Sequence, residues 1–193
     1  MIACPRGDSM KSGERAAYHE AGHVLVAVIK GVRIGTLGML IDDRDHGYAG
    51  LRLRPPRASS DFPLSREASI VVLFAGLMAE KEFDYESTGK SASDDLARID
   101  ELQAEKPELM DVEILKLESG KLIKEHWIAV EHLAKAVLAK DCRPRSELNE
   151  RAEDKGWSGS SMARCLPGKE IVVMLRKTLP SHNVQLEPEL VID

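Results

Sequence analysis

Aromatic residues are scarce in this chain, at 4% of 193 positions. A core must therefore be built mostly from Leu, Val, Ala and Ile. Cysteine is scarcer still. Cys4, Cys142 and Cys165 are odd in number, widely spaced and without a Cys-x-x-Cys pair, which points to a reduced, cytoplasmic chain and away from a disulfide framework or a cysteine zinc site. No apolar run approaches the roughly 20 residues needed to span a bilayer, so no membrane span is expected. Residues 1–11 lack the apolar region of a secretory signal. Strong positive charge is missing as well. A formal net charge of −5 favours solubility and gives no footprint for nucleic acid or an anionic membrane. No internal repeat is visible. What remains is an ordinary globular composition, 43% hydrophobic, long enough for one domain or one domain with an appendage.

Against this background one stretch stands out, Ala16-Ala17-Tyr18-His19-Glu20-Ala21-Gly22-His23, followed without a break by Val24-Leu25-Val26-Ala27-Val28-Ile29. On a helix, His19 and His23 are four residues apart and share a face, with Cβ atoms roughly 5–6 Å apart. That gap suits two imidazoles on one zinc ion, at about 2.0–2.1 Å each. Glu20 points about 100° round the helix. It stands off the ligand face but within reach of a water on the metal. Two ligands and a general base are the chemistry this His-Glu-x-x-His spacing supplies. The plain alternative is an amphipathic helix with surface histidines. The apolar run argues against it, because it buries the helix on most sides and buried imidazoles need partners.

The rest of the chain reads as follows. Residues 1–12 are a loose lead-in. Ser12 is placed to cap a helix over 13–30, which Gly31 ends. Residues 32–41 and 48–54 form a hairpin around a polar turn at 42–47, with glycines that mark bulges. His46 is a solvated turn residue or a substrate contact. A second helix covers 64–82, with Ile70, Val71, Leu73, Phe74, Leu77 and Met78 at helical spacing. Gly89-Lys90-Ser91 invites a phosphate-loop reading, but Asp84 stands where the leading glycine belongs and no strand precedes it, so nucleotide binding is rejected. Ser91 or Ser93 caps a third helix over 93–105. A long helix over 108–140 is interrupted near Ser119-Gly120. His126 and His132, six apart on it, are structural or surface residues. A short helix over 145–154, a strand at 171–175 and a docking tail complete the chain.

A catalytic zinc usually has three protein ligands and an open position. Glu80, Asp94, Asp95 and the remaining histidines are all candidates for the third, and spacing alone leaves the choice open. The ordered motifs do more. His19-Glu20-Ala21-Gly22-His23, the hairpin with Gly47-Tyr48, Leu73-Phe74-Ala75-Gly76-Leu77-Met78-Ala79-Glu80, and Ser87-Thr88-Gly89 followed by Asp94-Asp95-Leu96 together resemble the peptidase domain of the FtsH-type ATP-dependent zinc metalloproteases. The resemblance implies Asp95 as the third zinc ligand, with Asp94 at a neighbouring asparagine position. It covers about 13–150. Nothing in the sequence resembles that family's ATPase module or membrane anchor.

The expectation is a mainly α, helical zinc-peptidase domain with a small β-hairpin next to the zinc helix. The lead-in takes residues 1–12, the peptidase domain 13–155 and a C-terminal extension 156–193. Zn2+ is held by His19, His23 and Asp95, with Glu20 catalytic. The implied activity is endopeptidase hydrolysis of unfolded or flexible polypeptides. A separate ATPase or adaptor, and a homo-oligomer, are the partners the resemblance leaves room for. The alternative is a peptidase-fold binding module with a structural zinc.

Overall fold

The computed structural model describes residues 10–42, 46–51, 64–105, 111–148 and 162–185. It is mainly helical with a small antiparallel sheet. Helix α1 (Met10–Ile29) is the centre of the molecule. Ala17, Ala21, Val24, Leu25, Val26 and Ala27 are all fully buried, because α1 packs on one side against α2 (Arg66–Phe83), on another against α5 (Trp127–Leu138), and on a third against the hairpin β1 (Ile34–Asp42) and β2 (Gly47–Leu51). Each large aliphatic side chain sealed in this way contributes about 1.5–3 kcal/mol. The helix begins at Met10, so Ser12 lies inside its first turn and does not cap it. Gly31, at φ +84°, takes the chain out of it, and Val32 N–H returns to the Ala27 carbonyl at 2.9 Å.

The α1–α2 contact is unusually close. A Cβ at Gly22 would stand 2.4 Å from the Ala75 carbonyl oxygen and 2.7 Å from Ala79 Cβ. Small residues on both helices let the backbones approach. Ser65 caps α2, accepting from Ala68 N–H. At the far end of α2, Asp84 takes Arg15 of α1 in a salt bridge at 2.6 Å. Three of the few aromatic rings lie in one stack beside it: Phe83 is 4.0 Å and Trp127 is 5.4 Å from Tyr18, centroid to centroid, with the rings nearly parallel. Tyr18 immediately precedes His19.

Beyond α2, a single 3-10 turn (Lys90–Ala92) leads into α3 (Ser93–Ala104). Ala92 and Ile99 pack with Ile70, Leu73, Phe74 and Leu77 in a second, smaller cluster. Neither Ser91 nor Ser93 caps α3; Ala92 occupies the cap position without a side-chain bond, and the Ser91 hydroxyl is turned to Glu80. The long helix expected over 108–140 is two helices, α4 (Val112–Glu125) and α5, broken at His126. The break is not at Ser119-Gly120. That pair sits mid-helix, with Ser119 buried and Gly120 facing Met78 of α2, so its small size serves packing. His126 packs edge-on against His182, and His132 is exposed.

The hairpin register shifts between Ile34 and Met39, over the stretch holding Gly35 and Gly38. The sheet is larger than a hairpin. Strand β3 (Arg143–Pro144), the single-turn α6 (Arg145–Leu148) and strand β4 (Met162–Leu166) follow α5, and the sheet order is β2-β1-β4-β3, antiparallel throughout. The strand expected at 171–175 is a helix, α7 (Gly168–Thr178). Its β-branched residues suggested a strand, but Ile171, Val172, Leu175 and Leu179 are buried while Lys169, Val173, Arg176 and Lys177 are exposed, which is the helical period. Residues assigned to an extension thus supply a central strand and a helix of the main core. Cys142 is in a disulfide, against the expectation of a reduced chain, since sequence spacing does not fix distance in space. The short helix expected at 145–154 is described only to Leu148, and the parts of the hairpin at 43–45 and 52–54 lie outside the described residues. Among the described residues no helix is long and apolar enough to cross a membrane.

Candidate metal centre

The fold brings His19, His23 and Asp95 to one point. His19 Nε2 is 2.9 Å from Asp95 Oδ2, His23 Nε2 is 3.0 Å from the same oxygen, and the two Nε2 atoms are 3.0 Å apart. Both histidines are buried in α1; Asp95, in the first turn of α3, is partly buried. Among the described residues this is the one group of three such side chains that can hold a metal ion.

The donor chemistry fits a cation. His23 Nδ1 is 2.8 Å from the Val72 carbonyl oxygen. A carbonyl only accepts, so Nδ1 carries the hydrogen, and Nε2 of the neutral ring presents a lone pair. That lone pair faces a carboxylate oxygen and a second imidazole nitrogen. Three acceptors this close repel unless a positive species lies among them. Zinc bonds of about 2.0–2.1 Å at tetrahedral angles put neighbouring ligand atoms about 3.3 Å apart, within a few tenths of an ångström of the triangle here. Without a metal the cation is a proton. Burial alone would lower the His19 pKa, but the hydrogen bond to Asp95 and the Glu80 carboxylate beside the ring outweigh it and raise it to about 10. Burial likewise opposes the charge on Asp95, and His19 and His23 override it, holding the carboxyl well below its usual range.

Glu80 is not a ligand. It is almost fully buried behind His19, with Oε2 3.4 Å from His19 Nδ1. That distance is within ion-pair reach, but the alignment falls short of a hydrogen bond. Its carboxylate accepts from the Ser87 and Ser91 hydroxyls. Burial would raise its pKa; His19 and the two hydroxyls outweigh this and bring it down to about 2. The result is a carboxylate behind a ligand imidazole, which orients the ring and strengthens it as a donor. The segment that looked like a phosphate loop holds this carboxylate in place.

Two glycines, neither selected as a site residue from the sequence, shape the centre. A Cβ on Gly76 of α2 would lie 2.5 Å from both His19 Nε2 and His23 Nε2. The bare backbone of α2 is therefore the wall against which the ligand rings lie. A glycine inside a buried helix, where alanine is about 1 kcal/mol better, was the available signal. On the other side, a Cβ on Gly47 of β2 would lie 2.4 Å from Glu20 Oε1. Glu20 is buried against that strand. Burial raises the Glu20 pKa, with His23 and His19 pulling the other way.

These groups form the floor of a cleft of about 280 Å³. One wall is β2, through Gly47, Tyr48, Ala49 and Leu51; the other is Val72 and Leu73 of α2 with Ser91, Asp94 and Asp95. Among the described residues β2 has a sheet partner on one side only. Asp94 is exposed and stands outside the triangle of donors. His46 lies in the turn next to β2, exposed, with its backbone N–H and ring bonded to Asp42. Of the candidates for third ligand, Asp95 alone joins the two histidines; Glu80, Asp94 and the histidines at 46, 126, 132 and 182 do not. A scan against protein-family models finds no match for this chain, and a search among curated proteins finds none either.

Proposed function

We propose that the chain is a zinc-dependent endopeptidase, similar to the peptidase domain of the FtsH type, acting on unfolded or flexible polypeptides. The observation that carries this reading is the convergence of three acceptor atoms within 3.0 Å of one another, beside a buried glutamate, in a cleft bordered by β2, an edge strand among the described residues. His19, His23 and Asp95 are the residues that would hold the metal. A bound zinc supplies Lewis-acid polarisation to a water and to the scissile carbonyl. Glu20 receives the proton of the attacking water and returns it to the leaving amine. Its burial makes it a stronger base than a solvated carboxylate. Glu80, through His19 Nδ1, fixes the ring that faces the cleft. β2, an edge strand among the described residues, aligns an extended segment by strand addition, which requires a substrate already unfolded there. A separate ATPase or adaptor would widen the range of substrates delivered.

The test is metal content, then activity. Protein purified without added metal or chelator is expected to carry about one zinc per chain, and Asp95→Ala to lose most of it. Zinc-loaded wild type is expected to cleave a labelled unfolded polypeptide. Glu20→Gln, with its zinc retained, is expected to be slower by about 10²–10⁴. Equal cleavage by Glu20→Gln refutes the role of Glu20. Zinc in the wild type with no cleavage of any unfolded substrate moves the site to a structural zinc in a binding module.

A further inference from the structure

The cleft carries more negative charge than the proposed chemistry uses. Three of its lining residues are carboxylates, Glu20, Asp94 and Asp95, and no Lys or Arg is among those described. A divalent ion offsets two of these charges, those of Asp95 and Glu20. The third, Asp94, is exposed at the rim, and among the described residues no hydrogen bond or salt bridge engages it. The structural role open to it is small. It sits one residue before Asp95 in the first turn of α3, where a carboxylate gains about 0.3–1 kcal/mol from the helix end. A carboxylate only accepts, so what it recognises is a donor, and best a charged one.

The wall that holds Asp94 also holds the aliphatic Val72 and Leu73, and Leu51 lines the wall across from it. An apolar wall ending in a lone carboxylate is the complement of a side chain with an apolar stem and a cationic head. We propose that Asp94 is a specificity residue, selecting polypeptide segments with Lys or Arg beside the bond to be cut. The inference rests on the peptidase reading above. The stem lies along Leu73 and its neighbours, and the head pairs with Asp94 at the rim, where product can still leave. A Glu at the same substrate position meets repulsion.

The experiment uses the zinc-loaded full chain and three quenched-fluorescence peptides that differ only in having Lys, Gln or Glu at the positions flanking one cleavable bond. An exposed ion pair is worth up to about fivefold in either direction, so kcat/KM for Lys over Glu is expected at about tenfold in low salt, shrinking in 0.5 M salt as the charges are screened. Asp94→Asn is expected to bring the ratio close to one, and Asp94→Lys to invert it. The same peptides are bound to zinc-loaded Glu20→Gln, with and without Asp94→Asn, and read by anisotropy, so that recognition is measured without turnover. Cleavage with a Lys-to-Glu ratio that Asp94→Asn leaves unchanged overturns the proposal and leaves the peptidase reading intact. Absence of cleavage together with an Asp94-dependent preference for Lys in binding removes the peptidase reading and overturns selection at a bond to be cut, leaving Asp94 as a residue that recognises bound cationic segments. Absence of both overturns both.

Discussion

Replacing Gly76 by alanine separates the metal centre from the fold. The added methyl would lie 2.5 Å from both ligand nitrogens and 2.7 Å from His19 Cε1. No real Cβ tolerates such contacts, so one ring or both must turn away from Asp95. The helix itself does not object: alanine is favoured over glycine in its interior by about 1 kcal/mol. The cost falls on the donors. Misplacing ligand rings lowers metal affinity by about 100-fold or more, by analogy with losing the groups that orient them. Thermal melts in chelator and in zinc read this directly. At free zinc 100 times its Kd, the wild type gains about 2.7 kcal/mol, or about 5–10 °C for a chain of this size. With affinity down 100-fold, the same zinc gives Gly76→Ala about 0.4 kcal/mol, a shift of about 1 °C. In chelator the two proteins are expected to melt within a few degrees of each other. A zinc-dependent gain in Gly76→Ala equal to that of the wild type would refute the reasoning, and with it the idea that α2 is the wall of the centre.

Three further outcomes follow from the same geometry. Glu80→Gln should weaken zinc binding by about 10–100-fold, read by competition with a chromophoric chelator, while Ser87 and Ser91 keep an acceptor. Gly47→Val should displace the Glu20 carboxylate, from which the new Cβ would be 2.4 Å; zinc content is expected to hold and kcat to fall, and a loss of zinc with it would count against the assignment of separate roles. In chelator, stability should depend on pH in two windows. His19, raised from 6.5 to about 10, contributes stability that is complete below 6.5 and lost as pH rises toward 10; Glu80, lowered from 4.5 to about 2, contributes stability that is complete above 4.5 and lost as pH falls toward 2. Urea melts across pH 3–9 should therefore show a maximum near pH 5–6, and zinc should flatten the alkaline side by replacing the proton.

Much of the centre was legible because its chemistry is local. His19, Glu20 and His23 lie within five residues, and helical geometry alone puts both imidazoles on one face. Asp95 is 72 residues from His23; only the order of motifs pointed to it, and no spacing rule could have separated it from Asp94 or Glu80. Glu80 was legible as a carboxylate near the end of a helix but not as the partner of His19, since that role depends on Ser87 and Ser91 folding back onto it. The helix over 66–83 followed from apolar periodicity, whereas the one over 93–104 was signalled by a serine cap, a position that Ala92 occupies instead. Residues 171–175 did not, because Ile171-Val172-Val173 is too short and too β-branched a window to show its period until Leu175 and Leu179 are counted. Strand β4 had no local signature at all: it is created by pairing with β1, a long-range event.

The stack of Phe83, Tyr18 and Trp127 gives the chain an optical property of its own. It has two tryptophans, and one of them, Trp127, stands in the ring column whose middle member, Tyr18, immediately precedes His19. Emission from Trp127 is expected to report, without a label, on the packing of Tyr18 beside His19, and following it through a zinc titration reads whether loading the donors disturbs that column.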